Sequence, residues 1–195
     1  METHDFKEDL IYSELNFEER KKIYESKFSF RNVRFVKYDT EENKELQHHD
    51  VDVTAEDVQA NEYKISEKIR KYDYKGDILV EVWSGFEDKI KGWLSNSVAD
   101  YLTLFYNDKA LCVNAQELKQ FCKRFFTLPV VNAINNEFSY LIKNDKKGKK
   151  FSIGGTMVFL TAAKNKRPNG TVYHTMSVCF PEKYLSKNGV KIIEI

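Results

Sequence analysis

Between residues 50 and 83 the chain alternates apolar and polar positions in three short runs. In the first, Val51 and Val53 oppose Asp50, Asp52 and Thr54. In the second, Ile65 and Ile69 oppose Lys64, Ser66, Lys68 and Arg70. In the third, Ile78, Val80 and Val82 oppose Asp77, Leu79, Glu81 and Trp83. A period of two marks strands with two unlike faces. If the three strands are neighbours with their apolar faces on one side, the other side gathers Asp52, Lys68 and Glu81.

Other elements follow from caps, turns and spacing. Asn16 with Glu19 three residues on makes a capping-box pattern for a helix ending near Lys27, whose Phe17, Ile23 and Tyr24 face the sheet. Its charges, Arg20 among them, belong to a solvated face. Residues 28–38 read as extended, 39–47 as a polar loop and 55–62 as a polar connection. Residues 72–76 form a tight link with Gly76 at a φ>0 position. A charged loop spans 84–92; residues 93–108 begin as a helix and become an aromatic strand ending in an Asn-Asp turn. After a short strand at 110–113, Asn114 and Glu117 open a second capping box. Leu118, Phe121, Cys122 and Phe125 then fall at helical spacing, which makes Cys122 a core thiol. A further helix is expected over 132–142, and 143–150 reads as an exposed basic loop with phosphate contact as its functional alternative. Residues 155–163 and 171–180 form a hairpin around Pro168-Asn169-Gly170, and the tail ends in a strand.

Composition narrows the function classes. The 195 residues suffice for one good core, and 42% hydrophobic content excludes global disorder. A formal charge of +1 excludes a strongly basic polyanion binder, so any nucleic-acid contact uses a local patch. Three cysteines without a CxxC pair fit a reducing compartment and offer no zinc site. The acidic N-terminus is no signal peptide, and no apolar run approaches the ~20 residues of a membrane helix. The reading is a cytoplasmic protein without a membrane partner.

The aspartate of HHDVDVT and the lysine of Ser66-Glu67-Lys68 carry a resemblance to the PD-(D/E)xK phosphodiesterase superfamily, above all its small phage-type and restriction-like nucleases. The resemblance covers roughly residues 14–126. It implies an α/β (α+β mixed) fold with a restriction-endonuclease-like αβββαβ core over 1–126. Residues 127–195 are then a C-terminal β-hairpin extension packed on that core. In the family an aspartate sits on one central strand and an acid-x-Lys tripeptide on the next. Here Asp52 and Lys68 match, and Ser66 stands at the acid position. Some members carry the missing acid on a neighbouring strand, where Glu81 stands. Glu67 points away in a regular strand and joins the site only through a bulge; it is the second candidate. First-helix acids also serve some members, which brings in Glu18, Glu19 and Glu25. The resemblance further implies a nucleic-acid substrate, DNA first, a homodimer as one assembly, and virus-encoded relatives.

Hard cations such as Mg²⁺ or Mn²⁺ take carboxylate oxygens, so Asp52 and Glu81 are the expected metal ligands. The metal polarises the phosphate and lowers the pKa of its water. Lys68 orients that water or stabilises developing charge. Arg70 grips a phosphate oxygen bidentately, and Ser66 assists through a hydrogen bond. Two blander readings stand beside this one. Ser66 favours an inert nuclease-fold protein that binds DNA or another protein, as an inhibitor or accessory factor. An unrelated mixed fold follows if the three strands are not adjacent. His48 and His49 read as surface or capping residues, Asp50 as solvated at the strand end with a secondary metal contact as its functional alternative, and Trp83 and Trp93 as core or cleft wall.

Overall fold

The computed structural model describes residues 3–4, 17–69, 77–106 and 110–194. The expected arm over 1–12 (apart from residues 3–4), the Asn16 cap, Arg70, the Gly76 turn and the Asn-Asp turn lie outside them. The described residues form two sheets and five helices, a mixed α/β architecture. The order is β1 (Thr3–His4), α1 (Phe17–Lys27), β2 (Arg31–Phe35), α2 (Glu41–His48), β3 (Val53–Glu56), β4 (Glu62–Ile69), β5 (Asp77–Gly85) and β6 (Ile90–Lys91). A 3₁₀ turn at Trp93–Ser95 leads to β7 (Tyr101–Phe105), β8 (Ala110–Asn114), α3 (Ala115–Phe125), α4 (Leu128–Lys143), β9 (Gly148–Ile153), β10 (Thr156–Lys166), β11 (Val172–Pro181), α5 (Glu182–Lys187) and β12 (Ile192–Glu194). No helix among these residues is long and apolar enough to cross a membrane.

The chain divides into two compact units, each assembled from separate stretches. The first takes Phe6–Tyr74, Asn96–Gln116 and Lys191–Ile195. Its sheet runs β12-β8-β7-β4-β3-β2. β2, β3 and β4 form an antiparallel meander, β7 adds parallel to β4, and β8 and β12 continue antiparallel. Val33, Val53, Ala55, Ile65, Phe105 and Ala110 join Tyr24 of α1 and Phe30 in one buried cluster, with Phe17 and Ile23 packed against it. The alternation at Val51, Val53 and Ile65 therefore does what a period of two requires. α1 departs from expectation at Arg20, which is buried beside Tyr24, one turn on, rather than solvated.

The second unit takes Met1–Asp5, Lys75–Ser95 and Glu117–Val190. Its sheet runs β1-β10-β11-β5-β6, with β9 on β10. The long β10–β11 hairpin is the one expected from its Pro-Asn-Gly turn. Ile134, Phe138 and Leu141 of α4 are fully buried at helical spacing. Pro129 in the first turn lets α4 start earlier than the expected 132.

The third alternating run does form a strand, but β5 pairs with β11 and β6 in the second sheet, not with β4. Alternation fixes which side chains share a face and leaves the neighbour open. The neighbour here is chosen by apolar cross-strand matches, Val80 with Val178 and Ile78 with Phe180. Three local expectations also change. Residues 41–48 are helical because Thr40 caps them, accepting the Asn43 N–H at 3.1 Å. The helix expected from Trp93 is a single 3₁₀ turn. The basic stretch at 143–150 ends α4 and begins β9.

Candidate active site

The site starts at the end of α2. That helix stops with two closing bonds, Asp50 N–H to the Gln47 carbonyl and Val51 N–H to the Leu46 carbonyl, both 3.0 Å. This is a Schellman stop, whose first residue beyond the cap takes a left-handed backbone and is most often glycine. Here it is Asp50, at φ 60°. Two residues on, Asp52 is held in extended register: its N–H donates to Ile65 and its carbonyl accepts from Val36, both 2.9 Å. Continuing the β3–β4 register from Val53 and Ile65 sets Asp52 opposite Ser66 and Asp50 opposite Lys68. Asp50, Asp52, Ser66 and Lys68 thus share one face.

Lys68 Nζ lies 2.7 Å from Asp50 Oδ1 and 3.7 Å from Asp52 Oδ2. Asp52 Oδ2 also accepts the backbone N–H of Glu67 at 2.7 Å. The Asp50 side chain is only 12% exposed, while Asp52 keeps 31%. Burial pushes the Asp52 carboxyl above its ordinary range; the Lys68 ammonium opposes this and the Asp50 charge reinforces it. Two oxygens on this stretch, Asp50 Oδ2 and Ser66 Oγ, are buried without a hydrogen-bond partner among the described residues. A buried, unsatisfied oxygen is costly unless something outside the chain completes it.

Glu67 points to the opposite face, as the alternation requires, and no bulge redirects it: β4 and β7 stay in register from Ile65 to Ile69. Its carboxylate accepts from Tyr24 Oη at 2.8 Å and from Arg20 Nε at 3.2–3.3 Å. Burial raises the Glu67 pKa, against the pull of Arg20 and Tyr24. Tyr24 is raised further, by burial and by the neighbouring Glu67 charge.

Glu81 does not stand on this sheet. It sits on β5 in the second sheet, where its Oε1 accepts from Ser84 Oγ at 2.5 Å and from the Trp93 N–H at 3.2 Å. It closes the turn that follows β6. Arg70 lies outside the described residues. His49 is used by its backbone, accepting the Val98 N–H at 3.0 Å, and His48 meets the edge of the Tyr38 ring. Trp83 donates to Asn135 Oδ1 at 2.8 Å within the second unit. In the basic run, Lys149 pairs with Glu137 at 2.5 Å and Lys146 bonds to Tyr140 Oη at 3.1 Å. Burial raises the Cys122 thiol to about 12 and Cys112 to about 11, as core thiols require.

Among the described residues no group of three or more His, Cys, Asp or Glu is arranged to hold a metal. Asp50 and Asp52 put two carboxylates on one face, the donor type that a hydrated hard cation takes while keeping several waters. The orphan Asp50 Oδ2 is an oxygen donor of the right kind. The sequence offered Asp50 only as a secondary metal contact, because the helix that aims it hides in the polar run 39–47; Thr40 with Asn43 was the available signal. Comparisons with protein-family models, curated proteins and solved structures return no match.

Proposed function

We propose that the face carrying Asp50, Asp52 and Lys68 is a divalent-metal phosphodiesterase site acting on nucleic acid, with DNA the first substrate. The observation that carries this reading is Lys68 Nζ lying between two carboxylates on adjoining antiparallel segments, 2.7 Å from Asp50 and 3.7 Å from Asp52. It supports the PD-(D/E)xK resemblance in Asp52 and Lys68 and replaces the expected second acid, Glu81, with Asp50. The meander of β2, β3 and β4 behind α1, followed by parallel β7, also agrees with the helix-and-three-strand opening of that core.

Asp50 and Asp52 would hold Mg²⁺ or Mn²⁺, which supplies charge neutralisation at the phosphate and an acidified water. Lys68 is placed to exchange one carboxylate for a phosphoryl oxygen and stabilise charge as it develops there. Glu67, turned to α1, holds Asp52 in place through its N–H.

The reading is tested by cleavage of single-stranded, duplex and branched DNA and of RNA, with Mg²⁺, Mn²⁺ or EDTA. EDTA-sensitive cleavage lost in Asp52→Asn and Lys68→Met is the expected result. Cleavage equal to wild type in both variants overturns it.

One observation favours a second reading, an inert protein of this fold that binds DNA or another protein. Ser66 occupies the acid position and is fully buried, and Lys68 already pairs its one ammonium with both aspartates. Calorimetric titration with Mn²⁺ separates the two: a binding site abolished by Asp52→Asn supports the enzyme, and no binding supports the inert protein.

A further inference from the structure

Glu67 is tied at both ends. Its side chain is 3% exposed and meets Arg20, itself 5% exposed, at 3.2 Å. Tyr24 completes the carboxylate at 2.8 Å. Its backbone N–H, on the other side of the same residue, donates to Asp52 Oδ2 at 2.7 Å. The Arg20 guanidinium is held in turn over the rings of Phe105 and Phe17, at 5.7 and 5.8 Å.

Arg20 and Tyr24 are the residues α1 buries, where an apolar pair would dock the helix equally well. A buried ion pair is no more stabilising than well-packed hydrophobic residues of the same volume, because desolvation offsets the Coulombic gain. What charge adds is direction. The guanidinium fork and the tyrosyl hydroxyl define where the Glu67 carboxylate lies. That fixes the Glu67 backbone, and with it the N–H directed at Asp52. We propose that Arg20 and Tyr24, acting through Glu67, are positioning residues for the Asp52 carboxylate, so that the docking of α1 sets the geometry of the site. The inference rests on Asp52 being the site's metal-binding acid, as read above.

The test uses the full chain with three variants: Arg20→Met/Glu67→Met, Glu67→Gln and Arg20→Lys. The double variant replaces the ion pair with apolar volume. Gln removes the charge but keeps an acceptor oxygen for Arg20, and its amide N–H can donate to Tyr24 Oη. Lys keeps the charge without the fork. The readouts are urea stability, Mn²⁺ affinity by calorimetry and the residue-67 amide proton shift by NMR. Removing the outer partners of a metal ligand lowers affinity by about 10–100-fold. The expected result is a folded double variant with a loss in that range and an upfield amide shift, with Gln near wild type and Lys between. A folded double variant with wild-type affinity and an unmoved amide overturns the inference. Where the double variant does not fold, Arg20→Lys decides: an unmoved amide with unchanged affinity overturns it. Where wild type binds no Mn²⁺, the metal-site reading fails by itself. The amide shift then decides the positioning: moved in the double variant it stands, unmoved it falls.

Discussion

Lys68 Nζ lies 2.7 Å from Asp50 Oδ1, and Asp50 reaches it from a left-handed backbone at the end of α2. For a non-glycine residue that conformation costs roughly 1–2 kcal/mol. Glycine would end the helix without that cost. Strain of this kind persists where a side chain is needed in one place. Here the side chain supplies a lysine partner and leaves one buried oxygen to be completed.

The backbone and side-chain contributions of Asp50 separate cleanly on mutation. Asp50→Gly relieves about 1 kcal/mol of backbone strain and loses a charged hydrogen bond of about 1.5 kcal/mol. Urea unfolding is expected to show stability within about 1 kcal/mol of wild type. Mn²⁺ affinity is expected to fall at least tenfold, the lower end for disturbing a ligand's surroundings, ~10-fold. Asp50→Ala keeps the strain and is expected to be the less stable of the two. Wild-type Mn²⁺ affinity in Asp50→Gly removes Asp50 from the site.

Gly92 is fixed by crowding. A Cβ on it would lie 1.8 Å from the Glu81 carbonyl oxygen and 2.4 Å from its carbon. The chain can only move away, which breaks the Gly92 N–H to Val82 bond and lifts Trp93 from Glu81. Gly92→Ala is expected to cost about 2–3 kcal/mol, read as a lower urea midpoint. An unchanged midpoint contradicts this tight turn.

What the sequence made legible were faces. Alternation placed Asp52, Ser66 and Lys68 together and turned Glu67 away, and β3 and β4 pair that way. What it could not carry was the identity of distant neighbours. Nothing local to Ile78, Val80 and Val82 says that they pair with β11, nearly a hundred residues on, so Glu81 was given to the wrong sheet. Arg20 was assigned to solvent because charge is usually wet. It becomes buried only because Glu67, 47 residues away, meets it. The pairing of Asp50 with Lys68 was hidden for a third reason: the short helix that aims Asp50, capped by Thr40, has no apolar stripe to betray it.

Glu81 is expected to act on stability alone. Its Oε1 accepts from Ser84 and from the Trp93 N–H. Glu81→Ala leaves that N–H without its acceptor, at a cost of about 1–2 kcal/mol. Mn²⁺ binding, assigned to Asp50 and Asp52 on the other sheet, is expected to match wild type in the same preparation. Loss of Mn²⁺ binding in a folded Glu81→Ala would return this acid to the site.

The second unit carries its own response to acid. The Glu87 carboxylate accepts the His174 N–H at 2.9 Å and meets its ring Nδ1 at 2.5 Å. Burial alone would raise the Glu87 pKa, but these bonds outweigh it and leave it below the ordinary 4.5. A folded-state pKa below the unfolded one stabilises at pH values above the unfolded pKa, and that contribution is lost as pH falls through the folded value. The loop after β5 also docks by the Phe86 N–H to the His174 carbonyl at 2.9 Å. Acidification from pH ~5 to ~3, across the carboxylate range, is therefore expected to lower hydrogen-exchange protection at the His174 and Phe86 amides. In Glu87→Gln, which has no charge to lose, protection at these amides is expected to be lower throughout and to change less with pH. The same pH dependence in both proteins would show that Glu87 does not hold this loop.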